Sequence, residues 1–288
     1  MAAALVDHGG APLTTMSIPH GRKFWKMSGS GNDFLFFDAR IDPPGSFSTA
    51  EVIDQVCARA TGVGADGIVF IQNDATEAFR IRYFNRDGSL AELCGNASLC
   101  SARLATELGI GNRTGFRFAT DAGVISARFV ADEPEIDLQP VKGLRPDAGL
   151  PLGAGERRIG FADTGVPHLI VLVDDVEGVD VAVRGRELRF EPSLADGANV
   201  NFVSKSEGSV WRMRTYERGV EGETLACGTG TVAAGVLLEA WGLSGPQTML
   251  RSQSGRILTA TMRHVGSEIL PSLKGEARVV FTGELAEL

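Results

Sequence analysis

The chain has 288 residues, 43% of them apolar, and a formal net charge of −8. That composition supports a buried core and excludes a disordered tail, and the acidic balance without any run of Lys or Arg argues against nucleic acid or anionic lipid as the main partner. No segment approaches the roughly 18 consecutive apolar residues of a membrane-spanning helix.

In chain order, residues 1–21 carry neither the basic start nor the hydrophobic run of a signal peptide, and they read as an extension in which Met16 offers a second start. A soluble cytoplasmic protein is the expectation. Arg22–Met27 is strand-like, and Thr49–Ala60 carries a helical pattern. Gly67–Gln72, Phe79–Phe84, Gly115–Ala119 and Val124–Val130 are short β-branched or aromatic runs, hence strands. Ala97–Leu108 is a helix that stops at Gly109, a residue suited to the left-handed position beyond a helix end. The Pro- and Gly-rich stretch from Pro140 to Gly155 reads as a linker. Strands follow at Ile159–Ala162, Leu169–Val173, Ala198–Val203 and Val210–Tyr216, and a helix at Gly230–Trp241 stops at Gly242. Strands outnumber helices without βα alternation, which points to an α+β chain.

The two halves repeat. LCGNASLCSARLATELG (93–109) and ACGTGTVAAGVLLEAWG (226–242) place Cys94 over Cys227 and Gly95 over Gly228 at an offset of 133 (from the numbering). Upstream, Arg82–Arg86 lies over Arg214–Arg218, Ala65–Phe70 over Ala198–Val203, and Gly31–Phe34 over Gly165–His168, all at nearly the same spacing. A period of this length is that of a domain and not of a solenoid unit, so an internal duplication of one fold is expected, with the two cysteines facing one interdomain cleft.

Four cysteines and four histidines are present, without Cys-x-x-Cys or zinc-ligand spacing, so no metal site is expected. Cys57 and Cys100 read as buried packing residues. Cys94 and Cys227 stand instead at helix starts, where unpaired N–H groups and the helix dipole attract an anion and lower a thiol's pKa. Two such starts gripping one carboxylate would set a sulfur on each face of the adjacent carbon. A thiolate on one face can take the α-proton while a thiol on the other returns one, inverting the centre. No cofactor is called for: GSGNDF at 29–34 lacks the following helix that a dinucleotide fingerprint requires.

MSGSGNDF (27–34), GVGADG (62–67), FNRDGS (84–89), LCGNA (93–97), GVPH (165–168), ANVNF (198–202) and YERGVEGETLACGTG (216–230) together resemble the diaminopimelate epimerase family, in order, over nearly the whole chain after residue 22. The resemblance implies two similar α+β domains, each a curved, barrel-like sheet around a central helix. The first would span 22–148 with a returning C-terminal strand at 277–288, and the second 149–276, the active site lying between them. It implies a PLP-independent, two-base conversion of LL- to meso-diaminopimelate in lysine and peptidoglycan precursor synthesis, and a homodimer. It makes Cys94 and Cys227 the catalytic pair. Asn32, Gly95, Asn96, Gly228 and Thr229 would hold the reacting carboxylate. Asn85, Asn199, Glu217 and Arg218 would take the distal amino-acid end, with His168 and Glu217 assisting the thiols. Three departures from the family pattern stand at Val166, at Ala97 with Leu99, and in an extra residue between Gly219 and Gly222.

Other readings meet obstacles. A thiol peptidase would use one cysteine with His168 and leave the second unexplained. A redox switch could pair Cys94 with Cys227, and a bridge under oxidation would abolish activity. A pure binding module would tolerate serine at both positions. A related racemase acting on another amino acid is the nearest alternative, and Asn85, Asn199 and Arg218 speak for a substrate with a second amino-acid head.

Overall fold

The computed structural model describes residues 21–91, 93–206 and 208–286, so residues 1–20 of the expected extension lie outside it. The first half runs β1 (Lys23–Gly29), β2 (Asn32–Asp38), α1 (Ala50–Cys57), β3 (Gly67–Gln72), β4 (Arg80–Asn85), β5 (Leu90–Ala91), α2 (Gly95–Glu107), β6 (Phe116–Thr120), β7 (Gly123–Val130) and β8 (Glu133–Asp137). After β9 (Lys142–Arg145) the same order returns as β10 (Glu156–Asp163), β11 (Pro167–Val173), α3 (Val181–Arg189), β12 (Asn199–Lys205), β13 (Val210–Glu217), β14 (Gly222–Thr224), α4 (Gly228–Ala240), β15 (Gln247–Arg251), β16 (Ile257–Val265) and β17 (Glu268–Gly275), and β18 (Ala277–Glu284) closes the chain.

Strand pairing repeats with the elements. β1–β2 is antiparallel, β2–β3 parallel, β3–β4 antiparallel and β4–β6 parallel, followed by the antiparallel run β6–β7–β8. The second half pairs β10 through β17 in the same sequence of senses. The halves are stitched at β8–β17, with Ile136 opposite Leu273. Each half also receives a strand from the end of the other: β18 lies on β1, and β9 lies on β10. The stretch expected as a linker therefore contains a strand of the second half's sheet. The fold is the expected duplicated α+β architecture.

The ladders correct one detail of the repeat. Tyr83 pairs with Ala91 and Thr215 with Thr224, which equates Tyr83 with Thr215. Val69 pairs with Tyr83, and Asn201 with Thr215, so Val69 corresponds to Asn201. The 65–70 segment is thus related to its copy by 132 residues (201 minus 69), not 133. Side chains alternate faces along a strand, so a one-residue slip would turn Val200, which packs among Val181 and Leu188, to the wrong side. By the same ladders, Phe34 opposite Gly67 corresponds to His168 opposite Asn199.

Each half of the continuous sheet wraps a helix. In α2 the side chains of Ala97, Leu99, Cys100 and Leu104 are fully buried, and α4 buries residues all round from Gly228 to Leu238. An α-helix apolar on every side is stable in water only when enclosed in this way. Both helices end as their glycines suggested: Gly109 and Gly242 sit at φ +71°, and the N–H groups of Ile110 and Leu243 return to the carbonyls of Ala105 and Leu238, each at 2.9 Å. The shorter α1 and α3 cover the outer faces, α1 against Phe37, Phe47 and Phe70, and α3 against Val200, Phe202 and Tyr216. Periodicity missed α3, because VAVRGRELR holds three arginines and a glycine. Its inward face is only Val181, Gly185 and Leu188, and its local signal is Asp180, whose carboxylate accepts from the N–H of Val183.

Candidate active site

Cys94 and Cys227 are the N-cap residues of α2 and α4, with nearly identical extended backbones at φ/ψ −133°/116° and −132°/110°. The Cys227 sulfur accepts from the N–H of Gly230 at 3.4 Å. The two helix starts meet at their glycines. A β-carbon on Gly95 would stand 2.9 Å from Leu273 Cδ2 and 3.4 Å from the Gly228 α-carbon, and one on Gly228 would meet Leu273 at 2.8 Å and Asn96 Oδ1 at 3.2 Å. Only residues without a side chain let the two helix starts approach this closely.

On the α2 side, Asn96 is 1% exposed and donates through Nδ2 to Asn32 Oδ1 at 2.6 Å. Asn32 in turn donates to the Asp66 carboxylate at 3.1 Å. Because a carboxylate only accepts, it fixes both amide orientations and leaves the buried Asn96 Oδ1 without a protein partner, facing Gly228. Asp66 is held by Arg59 at 2.6 Å, and Arg59 also binds Asp33 at 2.8 Å, which Lys26 meets at 2.6 Å. Burial works against ionisation of Asp33, yet hydrogen bonds and charge from Arg59 and Lys26 hold its carboxyl below the usual range.

On the α4 side, His168 is fully buried, and its Nε2 lies 3.0 Å from Thr229 Oγ1. Its Nδ1 lies 3.1 Å from Asn201 Nδ2, which also donates to the Leu169 carbonyl. Burial, helped by the positive charge of Arg218, pushes the ring down to about 3, so the imidazole is neutral. Thr229 Oγ1 is 3.7 Å from the Cys227 sulfur, and the Thr164 hydroxyl donates to the Thr229 carbonyl at 3.0 Å.

The thiols themselves depart from expectation. Helix-start N–H groups were expected to depress both pKa values, and they do act in that direction. Burial outweighs them, joined by the nearby Glu217 carboxylate, and pushes Cys94 up to about 12 and Cys227 well above its ordinary value. Both are thiols before substrate arrives. Glu217 is itself raised by burial.

Asn199 and Arg218 form an outer pair, the Asn199 Oδ1 accepting from the Arg218 backbone N–H at 2.9 Å. Among the described residues, the Arg218 guanidinium donates to the Asp196 carbonyl at 3.3 Å and to no carboxylate. Asn85 turns its amide onto Ser89 Oγ at 3.0 Å, and no hydrogen bond among the described residues ties it to the others. Ala97 and Leu99, where the family pattern differs, are fully buried core residues of α2, and Val166 is half-buried beside Gly165. Sequence reasoning missed Arg59, Asn201, Thr215 and Thr164. Of these, Asn201 alone carried a signal, a second buried-strand asparagine two residues after Asn199 in NVNFV.

The diaminopimelate epimerase family model matches residues 24–142 and 160–280, one stretch in each half. A relative named diaminopimelate epimerase from Gemmatimonas aurantiaca is 49% identical, covering 92% of this chain and 99% of its own length, and another of that name from Aquifex aeolicus is 42% identical, covering 92% and 98%. Among solved structures the fold is similar to a PhzF-family phenazine biosynthesis protein from Bacillus anthracis (TM-score 0.72, 16% identity, covering 92% of this chain and 99% of that one). It is likewise similar to a hydroxyproline epimerase from Agrobacterium vitis (0.69, 17%, 94% of each). At that identity these two likenesses establish the shared fold, whereas the end-to-end relatives decide the family. With both halves matched and the cysteine helix starts back to back, the chain belongs to the diaminopimelate epimerase family, a family of isomerases.

Proposed function

We propose that this protein interconverts LL- and meso-diaminopimelate by a two-thiol mechanism, without PLP, in the synthesis of lysine and peptidoglycan precursors. The observation that carries the reading is the contact of two cysteine-capped helix starts through Gly95 and Gly228. The reacting carboxylate sits where both sets of N–H groups converge, with Asn32, Asn96 and Thr229 around it. One cysteine, as thiolate, takes the α-proton; negative charge spreads onto the carboxylate, where the helix N–H groups meet it. The other cysteine gives its S–H proton to the opposite face, and the thiol and thiolate have exchanged places.

Burial and Glu217 make an unliganded thiolate costly, so the ionised form is reached in the substrate complex, where the bound ammonium and the excluded water change the local charge. The guanidinium of Arg218, free of a carboxylate partner among the described residues, suits the distal carboxylate, with Asn199 and Asn85 beside it. Glu217 lies near both sulfurs, and His168 acts through Thr229. The sheets support two domains that exchange their last strands, β9 and β18. A cytoplasmic homodimer completes the reading.

The test is LL-diaminopimelate in deuterated water with the reduced protein. Inversion with α-deuteration, lost by at least about a thousandfold in Cys94→Ser and in Cys227→Ser, is expected. Folded, reduced protein that exchanges neither LL- nor meso-diaminopimelate would overturn the substrate.

A further inference from the structure

The duplicated frame does not treat its two sulfurs alike. The register places His168, Asn201 and Thr215 in the second half where the first half has Phe34, Val69 and Tyr83. Behind Cys94 those residues are core: Phe34 and Val69 are buried, and the Phe34 and Tyr83 rings meet edge to face at 5.8 Å. Behind Cys227 the same three positions form a hydrogen-bonded chain. The Thr215 hydroxyl meets Asn201 Oδ1 at 2.9 Å, Asn201 Nδ2 meets His168 Nδ1 at 3.1 Å, and His168 Nε2 meets Thr229 Oγ1 at 3.0 Å.

Every proton in this chain can be assigned. The Leu169 carbonyl only accepts, so the Asn201 group beside it at 3.2 Å is the amide NH2. The same NH2 donates to His168 Nδ1, which therefore carries no hydrogen. A neutral ring then has its hydrogen on Nε2 and donates to Thr229 Oγ1. The Thr229 hydroxyl, accepting from the ring, has its own hydrogen free for the Cys227 sulfur 3.7 Å away. At the equivalent place on α2 stands Asn96, whose Nδ2 is directed to Asn32.

We propose that Asn201 is a positioning residue that makes the two thiols unequal: by fixing the His168 tautomer it turns the Thr229 hydroxyl onto Cys227 and eases the thiolate there through a hydrogen bond that has no counterpart at Cys94. The charged and titratable groups facing Cys227 are Glu217 from β13 and Cys94 at the start of α2, and Arg218 faces His168. None of these charged groups is altered by a change at Asn201; because Asn201 also lies against Gly230, whose N–H donates to the Cys227 sulfur, its effect is read together with that of Thr229→Val, which leaves the Asn201–Gly230 contact in place. The catalytic consequence rests on the two-thiol reading above; the tautomer and the thiol difference are properties of the substrate-free protein.

The experiment uses the full, reduced chain. Histidine 15N spectra, assigned with His168→Gln, are expected to show the Nε2–H form of His168. Peptide-resolved alkylation by iodoacetamide between pH 7 and 10 gives the Cys227-to-Cys94 rate ratio. That ratio is expected to fall about tenfold in Asn201→Leu and in Thr229→Val, and to be retained in Thr229→Ser. With diaminopimelate, Asn201→Leu is expected to lower kcat about tenfold with KM changed by less than about threefold. An Nδ1–H ring in the wild type, or both cysteines slowing together in Thr229→Val, would overturn the proposal. Should Asn201→Leu fail to fold, the wild-type tautomer and the Thr229 pair still decide it. A wild type inert towards diaminopimelate, with the Nε2–H ring and the expected fall of the ratio in the variants, would refute the substrate and leave the relay standing.

Discussion

Gly95 and Gly228, 133 residues apart by their numbers, touch so closely that a β-carbon on Gly228 would lie 3.3 Å from the Gly95 α-carbon. Each is the first residue of its helix, and each excludes a side chain from the other. Gly228→Ala must displace Leu273, Asn96 or the facing helix. Overpacking of this kind costs about 1–3 kcal/mol, and it also separates the two sets of N–H groups. A loss of that size in urea unfolding, with epimerase activity down at least about a hundredfold, is the expected outcome. A variant with wild-type turnover would show that the helix contact has no catalytic role.

With Cys94 held up at about 12, its thiolate fraction at neutral pH is small and rises tenfold for each pH unit. Alkylation of Cys94 in the free protein should therefore climb log-linearly through pH 9 without a plateau. A plateau near pH 7 would mean that the helix N–H groups win over burial after all.

His168 gives a pH dependence with a definite sign. Its folded-state value is pushed from 6.5 to about 3, so the unfolded chain takes up the proton first as pH falls. The associated stability is fully present above about pH 6.5 and drains away as pH drops from there towards 3. His168→Gln removes this titration. Between pH 7.5 and 4.5, its loss of unfolding free energy should be about 2–3 kcal/mol smaller than that of the wild type. Equal losses in the two proteins would mean that the ring accepts a proton in the fold.

Asp66 reaches the site through Asn32. Asp66→Asn replaces a pure acceptor by a group that can also donate, which releases the orientation of Asn32 and Asn96 and loosens Arg59. KM should rise about three- to tenfold with kcat less affected. Unchanged KM would confine Asp66 to holding the turn before β3.

Much of the site was legible in the chain, and the reason is local. A helix start needs an N-cap, a small residue where another backbone approaches and an αL glycine at the far end, and Cys94, Gly95 and Gly109 supply these three in one short run, repeated at Cys227, Gly228 and Gly242. The α+β class, most strand positions and the repeat itself follow from patterns of that range. Three things did not. The α3 helix was hidden because its stability comes from one packed face against Val200 and Tyr216, not from its own composition. The repeat's one-residue slip at Val69 and Asn201 needed the ladders, because sequence similarity there is too sparse to fix which face a strand residue takes.

The third is the state of the thiols. That two cysteines cap two helices could be read from the chain, since capping depends on neighbours along it. Tertiary structure alone decided that both are protonated at rest, because burial and the Glu217 carboxylate come from distant segments and oppose the local N–H groups. It alone also placed an apolar aromatic pair behind one sulfur and a hydrogen-bonded histidine behind the other. Local geometry is written in adjacent residues; the electrostatic surroundings of a buried group are written by everything folded around it.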